Sequence, residues 1–115
     1  MRLLRGVGLA ALAAGLVFAG GQASAASPEK GKTVYIQHGC WQCHGFQAQG
    51  GITGPKLAPD PMAAEAFTAF VRGSNRAMPP YSEAVLSNED LADIHAYLQS
   101  IPKSADYKSI PLLNQ

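Results

Sequence analysis

Cys40-Trp41-Gln42-Cys43-His44 constrains this chain more than any other stretch. Two thiols separated by two residues and followed at once by an imidazole form the attachment pattern for c-type haem. One turn of backbone over Cys40–Cys43 aims both sulfurs at the two vinyl groups of a single porphyrin. Each thiol adds across a vinyl to give a thioether. His44 is then held beneath the ring, where a neutral imidazole nitrogen can ligate the iron. Three other uses of such a pair are weaker. A dithiol redox site follows a buried strand in a βαβ pattern, and no such strand precedes Cys40. Structural zinc takes two further Cys or His ligands at suitable spacing, and His38 and His95 do not form such a pair. A disulfide across two residues is strained and leaves His44 without a role. The stretch therefore predicts one covalently bound haem c.

The start of the chain reads as an export signal. Arg2 and Arg5 precede an uncharged run from Gly6 to Gly21, and Ala23-Ser24-Ala25 supplies the small residues a signal peptidase requires. Residues 1–25 are expected to be a cleaved leader, with the mature chain beginning at Ala26. The apolar run is shorter than the ~20 residues of a spanning helix, so a membrane anchor is the poorer reading, and no span is expected in the mature form. Export agrees with thiols that meet haem outside the cytoplasm. Without Arg2 and Arg5 the formal charge of +1 becomes −1, which is no profile for binding nucleic acid or an anionic membrane. A domain this small has a thin core, and a porphyrin would supply part of its interior.

The remainder predicts helices and irregular loops, with no alternation long enough for a sheet. Ser27-Pro28-Glu29 is a helix start, with a cap, a proline in the first position and an acid in the first turn. That helix is expected from Pro28 to His38, with Gly39 ending it. Gly45 to Pro59 reads as a loop, within which Pro55 either braces a flat ligand or makes an ordinary Gly-Pro turn. Asp60-Pro61 predicts a second helix start, running to Arg72 and stopped by Gly73. Its apolar face of Phe67, Phe70 and Val71 is core, and in a haem protein that core is the porphyrin wall. Ser87 with Asp90 forms a capping box for a last helix over Asn88–Ser100, which Pro102 ends. Leu91, Ile94, Leu98 and Ile101 are its buried stripe, Tyr97 stands on the shoulder, and His95 is a surface or half-buried histidine. Residues 26–102 are the domain and 103–115 a tail. Tyr107, Ile110, Leu112 and Leu113 of that tail either fold back over the core or dock on a partner.

The open face of the iron needs a second ligand. Met62, Met78, His38 and His95 are the candidates. His38 lies too near the attachment motif to reach the opposite face. Met62 is expected in the first turn of a helix, where a methionine usually fills core space. Met78 lies in a loop long enough to wrap the ring edge, and Pro79 and Pro80 stiffen it. Met78 is therefore the predicted ligand, and a thioether there favours ferrous iron and raises the potential relative to a second histidine. Arg72 and Arg76 flank this loop. Arg76 is the candidate partner of a haem propionate, against the alternative of a solvated charge.

Taken together, Cys40-Trp41-Gln42-Cys43-His44, Gly54-Pro55-Lys56-Leu57, Met78-Pro79 and Leu91 to Leu98 resemble the small class I cytochromes c of bacterial periplasms. The resemblance covers residues 26–115. It implies an all-α fold of three to four helices around one haem. It implies a crossing of the first and last helices with Gly31 against Tyr97, and a Pro55 carbonyl against the His44 ring N–H. The stretch from Val71 to Pro79 is similar to cytochromes that serve flavin- or quinone-cofactor dehydrogenases. The implied function is electron transfer rather than enzymatic turnover, from a dehydrogenase donor to a cytochrome or oxidase of the respiratory chain. A haem-based ligand sensor or peroxidase-like enzyme with a displaceable Met78 is the alternative. A thiol-exchange assembly factor, with no bound haem, is a third.

Overall fold

The computed structural model describes residues 24–114, and the leader expected over residues 1–25 lies almost wholly outside them. The described residues form four helices and no strand: α1 (Pro28–Gln37), α2 (Trp41–His44), α3 (Ala64–Gly73) and α4 (Asn88–Ser100). Two short 3₁₀ turns follow, Tyr107–Ser109 and Pro111–Leu113. No helix among the described residues is long and apolar enough to cross a membrane.

Local chemistry sets most helix ends. The Ser27 side chain accepts from the Lys30 N–H at 3.2 Å, with Pro28 in the first turn. At the other end the His38 N–H reaches Val34 O, and Gly39 turns the chain with φ +75. That left-handed conformation costs glycine little, and it delivers Cys40 directly into α2. Ser87 caps α4: the Asp90 N–H donates to Ser87 Oγ at 3.0 Å, and the Ser87 hydroxyl donates to Asp90 Oδ2 at 2.8 Å.

The start of α3 departs from the expectation. The helix begins at Ala64 rather than at Asp60-Pro61, and its Ala63 cap makes no side-chain hydrogen bond. The His95 ring on α4 donates through Nε2 to the Met62 carbonyl at 2.9 Å. Residues 61–63 are thus non-helical, with Met62 held by a partner 33 positions away. Met62 therefore precedes the helix and is exposed, instead of filling core in a first turn.

The core is the crossing of α1 and α4, flanked by α3. Val34 and Tyr35 of α1 meet Leu91, Ile94, Tyr97 and Leu98 of α4, with Phe67, Val71 and Leu86 closing the cluster. The crossing expected at Gly31 exists, but its partner differs. A Cβ on Gly31 would fall within 1.8 Å of the Asp93 carbonyl oxygen and 2.9 Å of the Ile94 nitrogen. Gly31 thus meets the α4 backbone rather than the Tyr97 ring. Tyr97 is buried, not on a shoulder, and its ring packs on Tyr35 at 5.5 Å between centroids. Asp93 is buried at the same crossing. Its Oδ1 accepts from the Ser27 N–H at 2.7 Å, and Lys30 Nζ lies 3.0 Å from Oδ2. Lys30 also pairs with Glu89, and this acidic surround, Asp93 foremost, raises the Lys30 pKa above its ordinary value.

The tail is locally ordered but leaves the core uncovered. Asn114 Nδ2 donates to the carbonyls of Tyr107, Lys108 and Ile110, tying both 3₁₀ turns together. Tyr107, Ile110, Leu112 and Leu113 are all exposed, so the fold-back expectation is not met.

Candidate functional site

The motif occupies a single helical turn. Cys40 has helical dihedrals of φ −55 and ψ −37, and its carbonyl accepts from the His44 N–H at 3.0 Å. Cys40 is half-buried and Cys43 exposed, and neither is in a disulfide. Burial pushes the Cys40 thiol up to about 11. An attacking dithiol needs the opposite, a thiol pKa lowered toward neutrality. Cys40 is therefore a poor attacking thiol for disulfide exchange.

His44 is buried, and its orientation is fixed from behind. Nδ1 lies 2.7 Å from the Pro55 carbonyl. A carbonyl can only accept, so Nδ1 carries the proton and Nε2 keeps its lone pair for a metal. Glycine makes this approach possible. A Cβ on Gly54 would stand 2.8 Å from Cys43 O and 3.0 Å from His44 Nδ1. The loop is closed further by Gly50 N–H to His44 O at 2.8 Å and by Leu57 and Ala58 N–H groups sharing Ala48 O. Pro55 therefore meets His44 through its carbonyl, the contact that the resemblance implies.

Two buried tyrosines hold the backbone just after His44, a feature the sequence reading missed. Tyr35 OH donates to Gly45 O at 2.8 Å, and Tyr97 OH donates to Phe46 O at 3.0 Å. Burial raises both phenols above their ordinary pKa, so they remain donors. Tyrosine in place of phenylalanine at core positions was the available signal, since a buried hydroxyl needs a partner.

Met78 lies half-buried against the core. The Tyr81 N–H donates to Val71 O at 3.0 Å, closing the loop that carries it. Arg72 donates to Tyr81 O at 2.9 Å and to Asn88 Oδ1 at 2.7 Å. Tyr81 OH donates to His38 O at 2.9 Å, fastening the loop to the chain just before Cys40. Within the loop, Ser74 Oγ donates to Met78 O at 2.8 Å. Arg72 is thus a loop clamp with its guanidinium engaged, whereas Arg76 is exposed. Phe67 and Val71 are buried as expected, but Phe70 is 47% exposed and is not core, since its side of α3 faces away from the core and solvent meets it. Met62 shares a hollow with Pro55, Leu57, Phe67 and Leu98. Exposed and ahead of α3, Met62 does not fill the core of a first helical turn.

The donor set fits haem c: two free thiols one turn apart, a buried imidazole with Nε2 free, and a thioether on a braced loop. Among the described residues no group of three or more His, Cys, Asp or Glu side chains converges as a structural zinc site requires. The family model described as cytochrome C oxidase, cbb3-type, subunit III matches residues 26–98. No curated protein and no solved structure matches the chain.

Proposed function

The chain belongs to that family, a family of small c-type cytochrome domains that transfer electrons through haem c, and from this premise we propose that it is a periplasmic class I carrier of one covalently held haem. Cys40 and Cys43 would hold it through thioethers, and His44 Nε2 and the Met78 sulfur would bind its iron. Phe67 and Phe70 would pack against it, and Arg76 would offer its charge to a propionate. The bound group would supply one-electron exchange between ferric and ferrous iron.

The chain's own residues prepare that site. The Pro55 carbonyl fixes the His44 tautomer and makes the imidazole a better donor. The soft Met78 sulfur favours the ferrous state. With His44 and Met78 both bound to the iron, oxygen and peroxide would find no ready entry, and electrons would pass between redox partners. The donor would be a flavin- or quinone-cofactor dehydrogenase, and the acceptor a cytochrome or oxidase of the respiratory chain. The family's description, which names an oxidase subunit, supports the acceptor side. Export through cleavage after Ala25 would place the carrier among such partners.

The observation that carries this reading is the His44 Nδ1 contact with Pro55 O at 2.7 Å, because it leaves Nε2 as a ligand beside two free thiols. Haem staining after denaturing electrophoresis tests it. The wild-type band should stain, and the Cys40→Ala/Cys43→Ala double variant should not. Loss of the wild-type stain would refute covalent haem. Rapid carbon monoxide binding by the reduced wild-type protein would favour the sensor or peroxidase-like alternative.

A further inference from the structure

We infer that Ser74 is a positioning residue for the Met78 thioether, its hydroxyl fixing the backbone from which the sulfur reaches the iron. The inference rests on Met78 as the second axial ligand. Ser74 follows α3 directly, in extended form at φ −60 and ψ 127. It is 7% exposed in a segment where its neighbours Asn75, Arg76 and Ala77 are open to solvent. A hydroxyl buried to that degree requires a partner, and its partner is the Met78 carbonyl at 2.8 Å. Among the described hydrogen bonds, this is the only one made by the backbone of residues 75–80. Pro79 and Pro80 have no N–H to give. The loop is thus anchored at its base by Val71, Arg72 and Tyr81, and internally by Ser74 alone.

The consequence is a bias on ligand release. Where the sulfur leaves the iron by a swing of the Met78 backbone, the Ser74 bond opposes that swing. Loss of one such bond should raise the open population about fivefold, equivalent to about 1 kcal/mol. An exogenous ligand that enters only the open state binds more tightly in proportion to that population.

Imidazole titration of the ferric, haem-loaded protein tests the inference, alongside the sulfur-to-iron charge-transfer band. Ser74→Ala should bind imidazole about fivefold more tightly and show a weaker band. Ser74→Thr, which keeps the hydroxyl, should restore both toward wild type. If Ser74→Ala accumulates poorly, Ser74→Cys serves in its place, since its thiol is a weak donor of similar shape. Wild-type imidazole affinity in the variant lacking the hydroxyl overturns the inference. So does an equal shift in Ser74→Thr, which would trace the effect to packing. Met78→Ala is the control: a retained band there would refute Met78 ligation itself, independently of Ser74.

Discussion

At the scale of single residues, the site depends on groups whose second hydrogen-bonding function is already spent. His44 commits Nδ1 to Pro55, Arg72 commits its guanidinium to Tyr81 and Asn88, and Arg76 remains exposed. Met78→Ala should abolish the sulfur-to-iron charge-transfer band and open the iron to added ligands, as optical spectra of the ferric protein will show. Met78→His should keep the iron six-coordinate but lower the reduction potential in a redox titration, because imidazole favours ferric iron more than a thioether does. Arg76→Gln should also lower the potential, since a lost positive charge disfavours the more electron-rich haem. The shift should shrink as salt is added, because exposed charges are screened within about 10 Å at 0.1 M. A potential that ignores the substitution would leave Arg76 a solvated charge.

At the scale of elements, two helix features carry measurable stability. Gly31→Leu would drive a side chain into the α4 backbone, where even a Cβ would come within 1.8 Å of Asp93 O. Neither backbone can yield locally, so the cost should reach or exceed the upper end of the ~1–3 kcal/mol typical of overpacking. The denaturation midpoint should fall while the spectrum of protein that still folds stays unchanged. Ser87→Ala should remove about 1 kcal/mol by uncapping α4. The pH dependence follows from Asp90, whose carboxyl is held below its ordinary 3.8, first by the Ser87 hydroxyl and then by Lys30. A depressed carboxylate pKa adds stability above the unfolded value, and that contribution is lost as pH falls through the folded one. The gap between wild type and Ser87→Ala in denaturant melts should therefore be full at pH 7 and narrow below pH 3.8.

At the scale of the whole molecule, a thin helical core is bordered by apolar groups that the fold leaves largely open to solvent. Phe46, Ile52, Met62, Phe70 and Val85 are all exposed. A small domain gains little from burial, so a porphyrin against any of these surfaces would add to its stability. The tail is a separate matter. Its turns are tied by Asn114 and its apolar side chains stand in solvent. Truncation after Lys103 should leave the thermal midpoint of the isolated protein unchanged. A clear drop in differential scanning calorimetry would show that the tail supports the core after all.

The sequence alone determined the features that act within one turn of chain. These are the attachment motif, the Ser27 and Ser87 caps, the glycine stop before Cys40, the bounds of α4 and the all-α class. Each depends on neighbours a few residues apart, so spacing is enough to read them. Tertiary structure decided what depends on distant partners. The His95 ring took the Met62 carbonyl and moved the start of α3 from Asp60-Pro61 to Ala64. The pitch of the α1–α4 crossing set Gly31 on the Asp93 backbone rather than on Tyr97. Tyr35 and Tyr97 found Gly45 and Phe46, and Ser74 found Met78, only because the packed helices brought them within reach. A donor's residue type announces that it will need an acceptor when buried. Which acceptor it meets is fixed by helix crossing and loop closure, and those follow from the packing of the whole core.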